Sequence, residues 1–173
     1  MDVPLESGEL TPPPASDAED DRWCMAVRLL GRMERQLDEV LQRRHTLPLS
    51  EYRAMCALSR PESGGALRMG ELAERIGMKD SSTTRLIARL EAQGLAERTP
   101  GAGDGRAVTA AITDAGRERY AAAASTYRAA LGAALDAARA NAYLADLADW
   151  VRTGETRPLP HHGSSYGNSD RPL

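Results

Sequence analysis

Apolar side chains recur along this chain at helical spacing, interrupted once by short runs that read as strands. Trp23, Ala26, Val27, Leu30, Met33, Leu37, Val40 and Leu41 follow at steps of three and four or as adjacent pairs, which gathers them on one face of a helix. Ser16 or Asp17 can cap it, and Glu19, Asp20 and Asp21 suit the positive end of its dipole. The helix must stop before Pro48, because the residue ahead of a proline is pushed out of the helical region. Ser50 is expected to cap a short second helix over 51–58, with Tyr52, Met55, Cys56 and Leu58 inward. A break rich in Pro and Gly, 61–65, follows.

The next fifty positions change period twice. Leu67, Arg68 and Met69 form a candidate strand, and 71–76 a short helix with Leu72, Ala73 and Ile76 inward. Gly77 then falls where a left-handed helix end favours glycine, with Met78 apolar inside the turn. A longer helix over 80–93 places Thr83, Leu86, Ile87 and Leu90 on one face and ends at Gly94. Two strand-like runs, 95–99 and 106–112, flank a turn-forming segment at 100–105, the pattern of a hairpin. From Thr113 to Gly116 an Ala-rich helix begins that contains Tyr120, Tyr127, Leu131 and Leu135. A last helix carries Leu144, Leu147, Trp150 and Val151, with Asp136 or Asn141 available as its cap. The fold expected is mostly α with a small β-hairpin wing, an α+β arrangement.

Composition narrows the class. Of 173 residues, 42% are hydrophobic, enough for a core, and Phe is absent, so Leu and Ala carry the apolar mass. No apolar run approaches the roughly 20 residues of a membrane span, and the first residues lack the charged and apolar regions of a secretory signal. Two distant cysteines, Cys24 and Cys56, fit no metal-ligand spacing and point to a reducing compartment. The chain therefore reads as cytoplasmic, with no membrane partner, no metal and no cofactor. The net charge of −3 disfavours a nucleic-acid binder until its distribution is considered. Asp2 to Asp21 holds seven acidic residues, four prolines and no basic residue; without those seven charges the remainder of the chain carries +4. An acidic, proline-containing start and a Gly-, Ser- and Pro-rich end both read as disordered tails, at 1–16 and 153–173, around a single domain at 17–152.

Two short helices joined by a tight turn, with Ala73 small where they cross, make a helix-turn-helix. The second can enter a major groove about 12 Å wide. Lys79, Ser81, Ser82, Thr84, Arg85 and Arg89 are the side chains available to touch it. Hydroxyls bond phosphates or bases, and arginine grips guanine or the backbone. Arg106 near the hairpin tip can reach a neighbouring minor groove, with Asp104 placed to orient its guanidinium.

These segments resemble the MarR family of bacterial regulators. The likeness is carried by LPLSEYRAMCALS, by MGELAERIGMKDSSTTRLIARLEAQGLAER and by GDGRAVTAAITDAGRE, and covers roughly 22–135. Its most specific element is Asp104-Gly105-Arg106 followed by Val108, Ile112-Thr113 and Gly116. The resemblance implies a winged helix-turn-helix lobe at 50–112 and dimerisation helices at 17–46 and 114–152. It further implies a homodimer acting on double-stranded DNA at a pseudo-palindromic operator. A phenolic or other lipophilic small-molecule inducer would sit between interface and lobe, and repression is the expected effect. Two positions depart from the family pattern. Thr83 stands where Val or Ile is usual and buries a hydroxyl that needs a partner. Lys79 stands where a capping Ser is usual, so Asp80 or Ser81 is expected to cap the reading helix.

Several rival readings are weaker on the residues. Cys24 resembles in position the reactive cysteine of the family's hydroperoxide-sensing branch, and a helix start with Arg28 one turn away favours a thiolate. The tyrosines that accompany that cysteine appear here as Arg28 and Asp38. The Gly-rich stretch 101–105 leads into a strand and not a helix, unlike a dinucleotide loop. His161-His162 has no partner ligands. Trp23, Tyr120, Tyr127 and Trp150 read as helix packing ahead of a ligand cage. A winged fold can also serve as a protein-interaction module that reads no DNA. No nucleophile-base pair, metal set or phosphate loop supports an enzyme.

Overall fold

A reciprocal pair of hydrogen bonds starts the first helix. In the computed structural model, which describes residues 14–100 and 108–155, α1 spans Asp17–His45. The Glu19 backbone N–H donates to the Ser16 hydroxyl at 3.4 Å, while the Ser16 N–H donates to the Glu19 carboxylate at 2.7 Å. This capping box satisfies two donors that the helix itself leaves open. Of the expected tails, 1–13 and 156–173 lie outside the described residues. The helix ends as Thr46 turns left-handed, φ 48°, ahead of Pro48.

Helix α2, Leu49–Leu58, starts differently from expectation. Pro48 holds the cap position and has no side chain to offer, and Ser50 lies inside the first turn. The cap comes instead from α1, where the Asp38 carboxylate accepts the Leu49 N–H at 2.7 Å. A three-residue 3-10 turn, Pro61–Ser63, leads to β1, Ala66–Arg68. Met69, expected in the strand, opens α3, Met69–Ile76. Gly77, φ 68°, closes that helix, and its N–H and that of Met78 satisfy carbonyls of the last turn.

Helix α4, Asp80–Ala92, is followed by β2, Ala96–Pro100, and β3, Val108–Ile112. The three strands form one antiparallel sheet in the order β1-β3-β2, with Leu67 opposite Ala110 and Thr99 opposite Thr109. Leu37, Leu41, Tyr52, Met55, Leu58, Leu72, Leu86, Ile87, Leu90, Ala110 and Ile112 share one buried cluster. Helix α4, the strands and the end of α1 thus rest on a common core.

The turn from β3 into the long helix α5, Asp114–Arg139, is built around Thr113 and Gly116. The Thr113 hydroxyl donates to the Gly94 carbonyl at 2.7 Å and accepts the Gly116 N–H at 3.1 Å. A Cβ on Gly116 would stand 2.1 Å from the Leu95 carbonyl oxygen. Only a residue without a side chain lets α5 start this close to the strand. The described residues fall into two compact units that divide between Ala134 and Leu135, within α5. In the second unit α6 spans Ala145–Thr153 with Leu144 at its cap. Asn141 shapes the preceding turn through its carbonyl and through a side-chain bond to the Tyr143 N–H, 2.9 Å. Asp136 pairs with Arg152 and so is not the cap.

Candidate nucleic-acid interface

Helix α4 divides cleanly by exposure. Thr83, Leu86, Ile87 and Leu90 are buried, whereas Lys79, Ser81, Thr84, Arg85 and Arg89 are exposed and Ser82 is half-buried. Thr83 keeps its helix in the core despite its hydroxyl, because that group donates to the Lys79 carbonyl at 3.2 Å, four residues back. Lys79 itself occupies the cap position without a side-chain bond, and Asp80 is the first helical residue, so the expected capping by Asp80 or Ser81 does not occur. Thr84 donates to the Asp80 carbonyl at 2.9 Å, and the Arg85 Nε to the Ser81 carbonyl at 3.3 Å. Both side chains therefore lie along the exposed surface of the helix.

The sheet flanks this helix. Arg98 on β2 reaches back to Glu91 on α4, with Nη2 2.6 Å from a carboxylate oxygen. That bond, more than any other influence, holds the Glu91 carboxyl below its usual range. The hairpin strands are in register as far as Pro100 opposite Val108. Asp104 and Arg106 lie outside the described residues, as do the rest of the Gly-rich stretch and His161-His162.

One charged residue escaped the sequence reading. Glu51 on α2 is 4% exposed, with its two carboxylate oxygens on Arg89 of α4 and on Gln93 at the C-cap of that helix, at 3.4 and 3.5 Å. Only the tertiary approach of α2 to α4 creates this site, so no local pattern announces it.

On the other side of α2 lies a cleft of about 720 Å³, lined by Tyr52, Cys56, Arg60, Arg75, Tyr127 and Leu131 among others. Tyr52 stacks on Tyr127, centroids 4.4 Å apart, and tilts against Tyr120 at 5.3 Å. Burial, then the neighbouring Tyr120 and Cys56, push the Tyr52 phenol well above its ordinary pKa. The four aromatics expected to pack helices therefore divide: Tyr120 and Tyr127 pack against the core, while Trp23 is 67% and Trp150 48% exposed.

On α1 the apolar stripe also splits. Leu37 and Leu41 are buried, but Trp23, Val27 and Leu30, at successive turns, are exposed. Cys24 is exposed two turns inside the helix, beyond the first turn where the dipole acts. Asp38 is engaged at the start of α2. Among the described residues no three His, Cys, Asp or Glu side chains are grouped to hold a metal, and no helix is long and apolar enough to cross a membrane.

Comparison with known proteins agrees with this geometry. No curated protein sequence matches the chain. Among solved structures, it is similar to Sco3205 of Streptomyces coelicolor, a MarR family transcriptional regulator crystallised with DNA. The two are 26% identical with a TM-score of 0.65, over 80% of this chain and 90% of that one. AbsC, a MarR family regulator of the same organism, shares the fold at 24% identity and TM-score 0.61, over 83% and 100% of the two chains. BpsR of Bordetella bronchiseptica shares it at 17% identity and TM-score 0.59, over 71% and 84%. The sequence model of the MarR family matches residues 45–107, from the end of α1 to the edge of β3. Over that span the winged helix-turn-helix lobe of this chain is similar to that of MarR family transcriptional regulators.

Proposed function

We propose that the protein is a DNA-binding repressor that acts as a homodimer on a pseudo-palindromic operator and is released by a small-molecule inducer. The observation that carries the first part is the exposed face of α4. Ser81, Thr84 and Arg85 stand uncovered on a helix whose opposite face is locked in the core, beside a three-stranded sheet. That is the arrangement a helix needs to enter a major groove while a hairpin follows the backbone. The DNA complex of Sco3205, which shares this fold at 26% identity, supports the same use here. Lys79 at the cap of α4, Ser81, Ser82, Thr84, Arg85 and Arg89 on that helix, and Asp104 and Arg106 between the hairpin strands in sequence are the groups we assign to DNA contact.

Dimer formation is supported by the exposed Trp23, Val27 and Leu30 on α1 and by exposed Leu147, Trp150 and Val151 on α6. Each compact unit thus leaves an apolar face that a lone chain does not cover. The cleft beside Tyr52 and Tyr127 supports an inducer site, since its walls combine these aromatic rings with the apolar Ala57, Ile76 and Leu131. A phenolic or other lipophilic ligand suits such a lining. BpsR, which shares the fold, has its DNA binding regulated by 6-hydroxynicotinic acid. Control of this kind needs only a ligand that prefers one spacing of the paired reading helices to the other. Such a regulator works by binding alone, without catalysis, in the cytoplasm.

Selection of duplexes from a random pool, followed by mobility shifts with the DNA flanking its own gene, tests this. A selected sequence bound more tightly than its scrambled form, with affinity falling steeply as salt rises, is the expected outcome. Arg106→Ala weakens that binding. Equal affinity for all duplexes removes the regulatory reading.

A further inference from the structure

Among the described residues, Glu51 is the only charged side chain that is buried. A carboxylate out of water is costly unless it is paired. Both of its oxygens are directed to the last turn and C-cap of α4, where Oε1 accepts from the Arg89 Nε at 3.4 Å and Oε2 from the Gln93 amide at 3.5 Å. The bond to Arg89 is made at the neck of the guanidinium, and 56% of that side chain stays exposed. A bond at Nε commits one of the five N–H donors of the planar group and leaves the four on Nη1 and Nη2 for another acceptor. Arg89 also follows Ser81 and Arg85 at intervals of four, on the flank of the same exposed face. A free surface arginine loses rotamer freedom when it grips a phosphate. One already held at its neck loses less.

We propose that Glu51 is a positioning residue for DNA binding: its buried carboxylate holds Arg89 by Nε so that the two Nη groups meet a backbone phosphate. This rests on the reading of α4 as the DNA-reading helix. It also carries a sign that plain electrostatics does not. By charge alone, an anion beside a phosphate site opposes DNA, so its removal should tighten binding. As a holder of Arg89, its removal should weaken binding.

The test uses the full-length protein and a duplex that the wild type selects from a random pool, with affinity measured by fluorescence anisotropy across a salt series. Arg89→Ala is expected to bind on the order of tenfold more weakly. Its slope of log affinity against log salt should fall by about 0.9 for each phosphate that the protein no longer neutralises. Glu51→Ala should reproduce both changes, and combining the two should add no further loss, because the residues act as one unit. Glu51→Gln keeps an oxygen acceptor in place and should retain most of the affinity and the slope. Where circular dichroism shows Glu51→Ala unfolded, Glu51→Leu takes its place, since an apolar residue of similar volume can replace a buried charge without loss of fold. A folded Glu51→Ala or Glu51→Leu that binds as tightly as wild type, or more tightly, overturns the proposal. So does an Arg89→Ala with unchanged affinity and slope. If the wild type selects no duplex at all, the DNA reading beneath the proposal is what falls.

Discussion

Asp38 on α1 accepts the backbone N–H of Leu49, the first residue of α2, at 2.7 Å. A carboxylate borrowed from another helix thus does what Pro48 at the cap position cannot, and it ties the long first helix to the lobe. Replacing it with Ala should cost about 1 kcal/mol of stability, the usual worth of a helix cap. Ser50→Ala, inside the first turn, should cost under about 0.5 kcal/mol. Urea unfolding at one fixed protein concentration separates the two, and equal losses would show that Asp38 is not the cap.

Gly116 starts α5 close against the Leu95 carbonyl. A Cβ at 116 would stand 2.1 Å from the Leu95 oxygen and 2.8 Å from Ile112. Gly116→Ala is expected to destabilise by about 3 kcal/mol, because backbone cannot step aside as a flexible side chain can. A Cβ at Gly132 in the same helix meets nothing within 4 Å. Gly132→Ala should therefore gain up to about 0.8 kcal/mol from helix propensity. Thermal unfolding of the two variants side by side decides; similar behaviour would contradict the close approach.

Local signals account for most of the lobe. Gly77, the spacing of Thr83, Leu86, Ile87 and Leu90, and the turn-rich stretch between two strand-like runs each act within a few residues, so α3, α4 and the hairpin strands are readable from the chain. The exposed face of α4 follows from the same periodicity. What was not readable arises between elements. Ser50 looks like a cap until Asp38 arrives from α1, and Glu51 looks like an ordinary first-turn acid until α4 covers it. The apolar stripe of α1 is continuous in sequence, yet the single chain buries only positions in its later half, where Glu34 and Asp38 reach α2.

That uncovered half predicts an oligomer. Leu30 is 40% exposed and lies one turn from the also exposed Val27. Leu30→Asp places a charge on a face that would need to be dry in a dimer and should shift the protein to monomer at micromolar concentration. Light scattering after size exclusion reads the mass directly. A wild type that is monomeric throughout would remove the dimer.

The Tyr52 phenol gives a dependence on pH. Burial, reinforced by Tyr120 and Cys56, raises its folded-state pKa above the unfolded value of about 10. A raised pKa means that the folded state holds the proton more tightly. The associated stability is thus complete below about pH 10 and is lost as pH climbs from there through the folded value. In a spectrophotometric titration of the five tyrosines, one should ionise last and together with unfolding. Tyr52→Phe should abolish that late step; its persistence in the variant would assign the step elsewhere.

Hydroxyl-radical footprinting of the protein on a duplex it has selected tests the dimeric reading of DNA most directly. Two protected patches on one face of the duplex, centred about one helical turn apart, are expected. Both should fade together in Arg85→Ala, since each protomer contributes the same helix. A single patch, or protection unchanged by Arg85→Ala, would contradict paired entry of α4 into the major groove.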